Sequence, residues 1–411
     1  MRALRHGSDH KATMPLMFLA LLLLASAFAH SVSAQPSVVA TVNVGDSPDG
    51  VAYDSAKSEV FVADFASGTV SVISDSTNAE VANIGVGVYP EGVAYDSAKG
   101  EVFVADFASG TVSVISDSTN KVIANVTVGD EPTAVAYDSA KGEVFVANDA
   151  TLSVISDSTN TVVANVSVGV KPDGVAYDSA KGEIFVANIG SDTVSVISDS
   201  TNAEVANISV GDYLASIAYD SAKGEIFVAP EFASDTVSVI SDSTNTVVAT
   251  VTVGNMPSGI AYDSGTGEVF VANEMDNTVS VISDSTNAVG APLGVGSGPQ
   301  ALAYDPGKGE VFVANTKDNT VSVISVGAAV STASNGSSTS ANVSTLSTSS
   351  QSCNVCYTNF GNPPTTSSSS SSGSSLAISW NYAAIIAINA AVFLVLTALA
   401  MLRRDTSRER Q

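Results

Sequence analysis

The sequence predicts an all-β fold, a seven-bladed β-propeller with four strands in each blade. The tripeptide Ala-Tyr-Asp occurs seven times, with its tyrosine at Tyr53, Tyr95, Tyr137, Tyr177, Tyr219, Tyr262 and Tyr304. The spacings are 42, 42, 40, 42, 43 and 42 residues, and each period holds four short apolar runs separated by polar turns. A period of about 40–45 residues with four strands is typical of a propeller blade.

The two ends of the repeat region complement each other. Residues 37–45, SVVATVNVG, resemble the fourth strand of a full copy, TVVATVTVG at residues 246–254. The seventh copy stops after its third strand, residues 320–325. We therefore expect the N-terminal strand to complete the last blade, because an open ring would leave two unpaired strand edges.

Alternation and turn residues place the strands of the first blade at residues 50–54, 59–64, 69–74 and 80–87, with the first strand innermost. In the second strand, Val60 and Val62 point to one face and Phe61 and Ala63 to the other. Both faces are apolar because each blade packs between two neighbours. The repeated turns Asp-Ser-Ala-Lys-Gly-Glu and Ser-Asp-Ser-Thr-Asn are rich in residues that form turns through local hydrogen bonds.

The flanking segments predict a surface protein with a propeller domain at residues 35–326. Residues 1–34 have the basic start, apolar centre and small residues of a signal peptide, and cleavage after Ala34 would leave Gln35 first. A retained signal anchor is the alternative. Residues 327–375 are rich in Ser and Thr and predict a disordered stalk. Residues 376–402 contain a 20-residue apolar run, followed by arginines in a short tail, 403–411, which predicts one membrane helix and a cytoplasmic tail.

Composition excludes several function classes. The net charge is −25, which argues against nucleic acid as a partner. Residues 35–402 contain 38 acidic residues and nine lysines but no histidine or arginine. A histidine base, a histidine-built metal site and an arginine clamp are therefore excluded from this region. We expect a protein that is not an enzyme, and the open alternative is a hydrolase that uses carboxylates and a metal, such as a lactonase-like or glycan-cleaving propeller.

The repeats resemble those of the YVTN family of propellers. The resemblance lies in the Phe-Val-Ala-Asn blocks at residues 145–148, 185–188, 270–273 and 312–315, each followed by a Val-Ser-Val-Ile-Ser or Leu-Ser-Val-Ile-Ser strand. Asp64, Asp106 and Pro230 stand where the family has asparagine, and Phe and Ala replace its tyrosine and threonine. The resemblance implies a cell-surface or surface-layer protein and a propeller fold. It implies no particular chemistry, because the family shares a scaffold rather than an active site.

Candidate ligand-binding residues lie on the loops that differ between copies. These loops join the blades, or join the second strand to the third, and they share one face of the ring. Binding residues are common on loops held by a rigid scaffold. The aromatic candidates on this variable face are Phe65, Tyr89, Phe107, Tyr213 and Phe232. We expect the face to recognise an extracellular protein or glycan, in adhesion or envelope assembly, and neutral divergence of the copies is the alternative.

A candidate calcium site lies at the mouth of the central channel. The position after the inter-blade proline, or its equivalent, holds Asp49, Glu91, Thr133, Asp173, Ala215, Ser258 and Gln300. Carboxylates from Asp49, Glu91 and Asp173 could ligate calcium through oxygen. The alternative is a rim of solvated carboxylates. No other cofactor is expected.

Two kinds of modification are predicted from short motifs. Asn125, Asn165 and Asn207 are glycosylation acceptors on outer strands, and Asn335 and Asn342 are acceptors in the stalk. Cys353 and Cys356 form a C-x-x-C pair in the stalk, where a structural or intermolecular disulfide is expected.

Overall fold

The computed structural model describes residues 35–211, 213–230 and 234–326, which form seven four-stranded antiparallel sheets. The predicted leader, stalk, membrane segment and tail lie outside these residues, as do Phe232, Asn335, Asn342, Cys353 and Cys356. Within the described ranges, no helix is long and apolar enough to cross a membrane. The one helical segment there is a 3₁₀ turn, Phe107–Ser109.

The strands follow one another regularly along the chain. The first is β1, Ser37–Asn43. Blade one contains β2 Pro48–Asp54, β3 Glu59–Asp64, β4 Thr69–Ser74 and β5 Ala79–Gly85. Blade two contains β6 Pro90–Asp96, β7 Glu101–Asp106, β8 Thr111–Ser116 and β9 Lys121–Thr127. Blade three contains β10 Val135–Asp138, β11 Glu143–Asn148, β12 Thr151–Ser156 and β13 Thr161–Ser167. Blades four and five contain β14 Pro172–Asp178, β15 Glu183–Asn188, β16 Thr193–Ser198, β17 Ala203–Ser209; β18 Leu214–Asp220, β19 Glu225–Pro230, β20 Thr236–Ser241 and β21 Thr246–Thr252. Blades six and seven contain β22 Pro257–Asp263, β23 Glu268–Asn273, β24 Thr278–Ser283, β25 Leu293–Gly294; β26 Pro299–Asp305, β27 Glu310–Asn315 and β28 Thr320–Ser325.

The ring closes through the two ends of the described chain. The seventh sheet has the order β1-β28-β27-β26, and β1 pairs antiparallel with β28 from Ser37 opposite Ser325 to Asn43 opposite Thr320. The first strands of neighbouring blades also contact one another all the way round, from β2 through β26 and back to β2. The prediction of seven four-stranded blades, with the N-terminal strand completing the last, is confirmed for the described residues.

The strand limits differ from those predicted at both edges of the first blade. The first strand begins at Pro48, two residues earlier, because Pro48 pairs with Asp64. The fourth strand spans Ala79–Gly85, and Val81 is an extra residue in a bulge, since its neighbours pair with Ile73 and Val72. The same register shift occurs in all six full-length outer strands. Bulges of this kind twist an outer edge and discourage it from pairing with another chain.

The core consists of seven apolar clusters, one at each junction between blades. Val60 and Val62 pack toward the seventh blade, whereas Phe61 and Ala63 pack toward the second, as predicted. The phenylalanine of each second strand is fully buried in its cluster. Removal of these side chains from water supplies much of the free energy that holds neighbouring blades together, about 1.5–3 kcal/mol per large apolar side chain.

The repeated Asp-Ser-Ala-Lys turn has a structural role. The buried Asp54 carboxylate accepts hydrogen bonds from the backbone N–H of Ala56 at 2.8 Å and of Lys57 at 3.1 Å. The equivalent aspartate makes the same two bonds in the other six blades. These aspartates therefore stabilise the first hairpin of every blade.

Candidate functional site

The strongest candidate site is the central cavity at the variable face, which we call the channel mouth. Its volume is about 580 Å³. One residue from the same position of each blade lines it: Asp49, Glu91, Thr133, Asp173, Ala215, Ser258 and Gln300. The structure thus brings together all seven residues that occupy equivalent positions in the repeats.

Close packing of the inner strands places these residues side by side. A Cβ atom at Gly50 would lie 1.9 Å from the Glu91 carbonyl oxygen, so the second blade leaves no room for a side chain there. Gly92, Gly174 and Gly259 are similarly close to the next blade. The Ser258 hydroxyl donates to the Pro299 carbonyl at 3.0 Å. The walls of the channel mouth are therefore made by contacts between inner strands that only small residues allow.

The channel mouth is acidic. Five carboxylates line it, from Asp49, Glu91, Glu131, Asp149 and Asp173, together with one lysine, Lys171. Burial raises the pKa of Asp49 to about 7, with further contributions from the charges of Asp173 and Glu274. Burial also raises the pKa of Asp173 to about 6. Both side chains are half-buried, since they touch the channel space while protein surrounds them. The negative charge of the cavity therefore increases as pH rises through the range from about 6 to about 7.

Metal binding was predicted for three of these carboxylates. In the part of the chain that the structure describes, no group of three or more acidic, histidine or cysteine side chains is placed so that it could hold a metal ion. Calcium binding by Asp49, Glu91 and Asp173 stays a prediction. Titration calorimetry with calcium on the purified protein tests it.

Aromatic side chains lie next to the channel mouth. Phe65 of the first blade stacks on Tyr89, with ring centroids 4.6 Å apart and planes 9° from parallel. Phe107 lines the cavity, and its N–H donates to the Tyr89 carbonyl at 2.9 Å. Tyr89 and Tyr213 are exposed, at 44% and 49%. Phe232 lies outside the described residues. The structure thus places Phe65, Tyr89 and Phe107 together, and Tyr213 in a different inter-blade link.

One feature of this face was missed by sequence reasoning. The residue before the inter-blade proline, or its equivalent, has a left-handed backbone in every blade: Ser47, Tyr89, Glu131, Lys171, Tyr213, Met256 and Gly298. For Tyr89 and Tyr213, φ is 58°. Such a conformation is unusual for a large side chain and is often found at functional positions. The sequence signal for this left-handed backbone was Gly298, the residue at this position in the seventh copy.

The three described sequons are accessible. Asn125, Asn165 and Asn207 are exposed on the outermost strands β9, β13 and β17. The side-chain carbonyl of Asn125 accepts from the Ser113 hydroxyl at 3.1 Å, and that of Asn165 accepts from Ser153 at 2.8 Å. Glycans at these positions would extend from the perimeter of the ring and leave the variable face open.

The fold defines a seven-bladed propeller, and comparisons with known proteins support that class. No protein-family model matches the chain, and no curated protein matches it. Membership of the YVTN family is therefore not confirmed. Among solved structures, hydrazine synthase of Kuenenia stuttgartiensis is similar, with 17% identity over 72% of this chain and 98% of that chain and a TM-score of 0.61. At this identity the likeness concerns the fold alone.

Proposed function

We propose that this chain is a non-enzymatic recognition protein of the cell surface, whose variable face binds an extracellular protein or glycan. One observation carries the proposal. The residues that differ between otherwise repeated blades converge on one cavity of about 580 Å³, beside exposed aromatic side chains. A rigid scaffold that presents variable loops is a common arrangement for binding.

The repeated turns support a distinction between a structural face and a binding face of the ring. The turns on the opposite face are held by the same buried aspartate contacts in all seven blades, so they serve the scaffold. The variable face differs from blade to blade in charge and in aromatic content. Adhesion and envelope assembly are the roles that fit a surface-anchored module with such a face, and anchoring by the segment 376–402 belongs to the same proposal.

The proposal is tested by exchanging Phe65, Tyr89, Phe107 and Tyr213 for serine in the full chain. Binding to a glycan array and to immobilised cell envelopes is then measured. We expect at least a tenfold loss, because aromatic side chains dominate many binding surfaces, at about 2 kcal/mol or more per key residue. The matched control exchanges the exposed perimeter residues Val81, Ile123, Val163 and Val205 for serine, and its binding should be unchanged. Equal binding by both variants would contradict the proposal.

A hydrolase is the second candidate, and one observation favours it. Asp49 and Asp173 line the same cavity, and their pKa values, about 7 and about 6, suit proton transfer near neutral pH. The substrates to screen are lactones and glycans, with and without calcium. Turnover that disappears in Asp49→Asn but persists in Asp46→Asn would favour the hydrolase over the recognition protein.

A further inference from the structure

At four of the seven junctions, an ionic contact joins neighbouring blades on the face opposite the channel mouth. A lysine from the first hairpin of one blade reaches the aspartate that follows the third strand of the next blade. The Nζ–Oδ1 distances are 3.4 Å for Lys99–Asp157, 3.8 Å for Lys141–Asp199, 3.5 Å for Lys181–Asp242 and 3.5 Å for Lys308–Asp75. Each of these lysines also donates to the backbone carbonyl of the same aspartate.

The junction between the sixth and seventh blades has neither member of this pair. Thr266 stands in place of the lysine, and Val326 stands in place of the aspartate. The Thr266 hydroxyl instead donates to Asp263 of its own blade at 2.6 Å. The second strand of the sixth blade begins at Glu268, whose six counterparts each have a lysine two residues earlier. Of the seven glutamates that begin the second strands, Glu268 is therefore the one without a lysine ammonium group two residues earlier.

Ring closure also leaves Glu268 without a donor that the equivalent glutamate has at one other junction. At the junction of the second and third blades, the turn residue Asn160 donates to Glu101 at 3.5 Å. Asn160 directly precedes Thr161, which pairs with Ser156. In the seventh blade Ser37 pairs with Ser325, so the residue in the place of Asn160 is Pro36, which has no donor.

The result is a pocket of about 390 Å³ between the sixth blade and the start of the described chain. Gln35 and Pro36 bound it on one side, and Glu268, Val281 and Leu293 bound it on the other. Burial raises the pKa of Glu268, the Asp263 charge raises it further, and the hydrogen bond from Thr266 lowers it. In the other six blades, the neighbouring lysine lowers the pKa of the equivalent glutamate. This pocket therefore holds a carboxylate that lacks the ammonium present at the other junctions.

We propose that this pocket binds the α-ammonium group of Gln35, formed when the leader is cleaved after Ala34. The position of Gln35 carries the proposal, because it lines the pocket and directly precedes the residue that replaces the asparagine donor. A free α-amino group has a pKa of about 7.7–8.0, so it is mainly protonated at neutral pH and can replace the missing lysine. Processing would then supply an ammonium group to the one junction whose hairpin lacks the lysine. This inference does not depend on the proposed binding function.

The ion pair has a chemical consequence for the N-terminus. A free N-terminal glutamine can cyclise when its α-nitrogen attacks its side-chain amide carbon. The new N–C bond forms, the bond to the amide nitrogen breaks, and ammonia leaves with the proton. The α-nitrogen has no lone pair while it is an ammonium, so pairing with Glu268 slows this reaction. Gln35 in the mature protein should therefore cyclise roughly three- to tenfold more slowly than it would without the ion pair.

The test uses the full chain from a secreting host. Mass spectrometry of the N-terminal peptide identifies the first residue, and an amine-reactive reagent at pH 7 measures the labelling rate of its α-amine, with the lysines as internal references. Glu268→Gln should label roughly three- to tenfold faster than the unaltered protein, the change that corresponds to about half to one pKa unit. The matched control is Glu310→Gln, where Lys308 is present, and its labelling should not change.

A second variant guards against loss of folding. Thr266→Lys returns a lysine to the junction, so it should displace the α-ammonium and raise its labelling rate while the melting temperature is kept. An N-terminus other than Gln35, an N-terminus already cyclised, or equal labelling in Glu268→Gln and the unaltered protein would each overturn the proposal. Unchanged N-terminal labelling with a raised melting temperature in Thr266→Lys would also overturn the proposal, because the new lysine would then fill a pocket that the α-ammonium does not occupy.

Discussion

At the residue scale, one buried position shows how the copies have diverged without losing the fold. The second strand ends in a buried asparagine in four blades, in aspartate at Asp64 and Asp106, and in Pro230 in the fifth blade. Asn273 donates to the Ser280 hydroxyl at 3.0 Å. Asp64 instead accepts from Ser71 at 2.8 Å, with the donor and acceptor roles reversed. Burial raises the pKa of Asp64 to about 6, although the hydrogen bonds from Ser71 and Thr69 lower it.

This pKa predicts a pH dependence of stability. The folded protein binds the Asp64 proton more tightly than the unfolded chain, whose aspartate has its ordinary pKa of 3.8. The free energy of unfolding should therefore fall as pH rises from about 4 to about 6, and the loss is complete at about pH 7. Asp64→Asn should remove this contribution and stabilise the protein at about pH 7 by up to about 3 kcal/mol. Thermal unfolding between about pH 4 and about pH 7 measures the effect.

The reciprocal exchange is the control. Asn273→Asp places a carboxyl at the same position of the sixth blade, and it should lower the melting temperature at about pH 7 but much less at about pH 4. If the stability of Asp64→Asn has the same pH dependence as that of the unaltered protein, ionisation of Asp64 does not destabilise the folded state.

At the element scale, the sixth blade has an incomplete outer strand. β25 contains two residues, whereas the other outer strands contain seven. Gly290 and Pro292 align with Val81 and Asn83 of the first blade. Proline lacks an N–H and interrupts the pairing with β24. Val281 of β24 is consequently half-buried, while its counterpart Val72 is fully buried.

Restoring the full length of β25 should slow hydrogen exchange in the sixth blade. In Gly290→Val with Pro292→Asn, we expect β25 to lengthen, because a Cβ at Gly290 would meet only the Val281 carbonyl at 3.6 Å. Hydrogen exchange of the β24 amides should slow by about fivefold, as expected for a gain on the order of 1 kcal/mol. The control is Val81→Gly with Asn83→Pro in the first blade, where exchange of β4 should accelerate. Unchanged exchange in the restored strand would contradict this account.

At the scale of the whole molecule, the ring is closed without a covalent bond. β1 belongs to the same sheet as β28, although nearly the whole length of the propeller separates their paired positions. Each junction has its own apolar cluster, and the seventh-to-first cluster contains Val42 of β1 beside Val60 and Phe312. Detachment of β1 would expose both the edge of β28 and this cluster, so the β1–β28 pair stabilises the closure of the ring.

A disulfide across this pair should stabilise the ring more than one within a blade. Thr41→Cys with Ser322→Cys joins paired residues of β1 and β28. Asn125→Cys with Ser113→Cys joins the equivalent pair of the second blade. The chain-entropy model predicts a gain of about 6 kcal/mol for the long loop and about 3 kcal/mol for the short one. Melting temperatures of oxidised and reduced proteins, with Cys353 and Cys356 changed to serine, measure both gains. A larger gain for the local pair would contradict closure by β1.

Residue patterns alone predict the number of blades, the four strands in each and the strand that closes the ring. Period, alternation and turn residues are local properties, and the copies repeat them seven times, so the residue pattern alone assigns Val60 and Phe61 to opposite faces of a blade. In a closed ring, equivalent positions of the repeats lie round the same opening of the central channel. Asp49, Glu91 and Asp173 could therefore be assigned to one candidate site from the sequence.

Other features depend on contacts between blades, and the three-dimensional structure is needed to reveal them. The volume of the channel mouth, the raised pKa of Asp49 and the stack of Phe65 on Tyr89 arise from groups on different blades. The ionic junctions and the pocket beside Glu268 likewise join one blade to the next, across as many as 233 residues between Lys308 and Asp75. The distances between groups and the burial of those groups determine these interaction energies, and neither can be read from the order of residues along the chain.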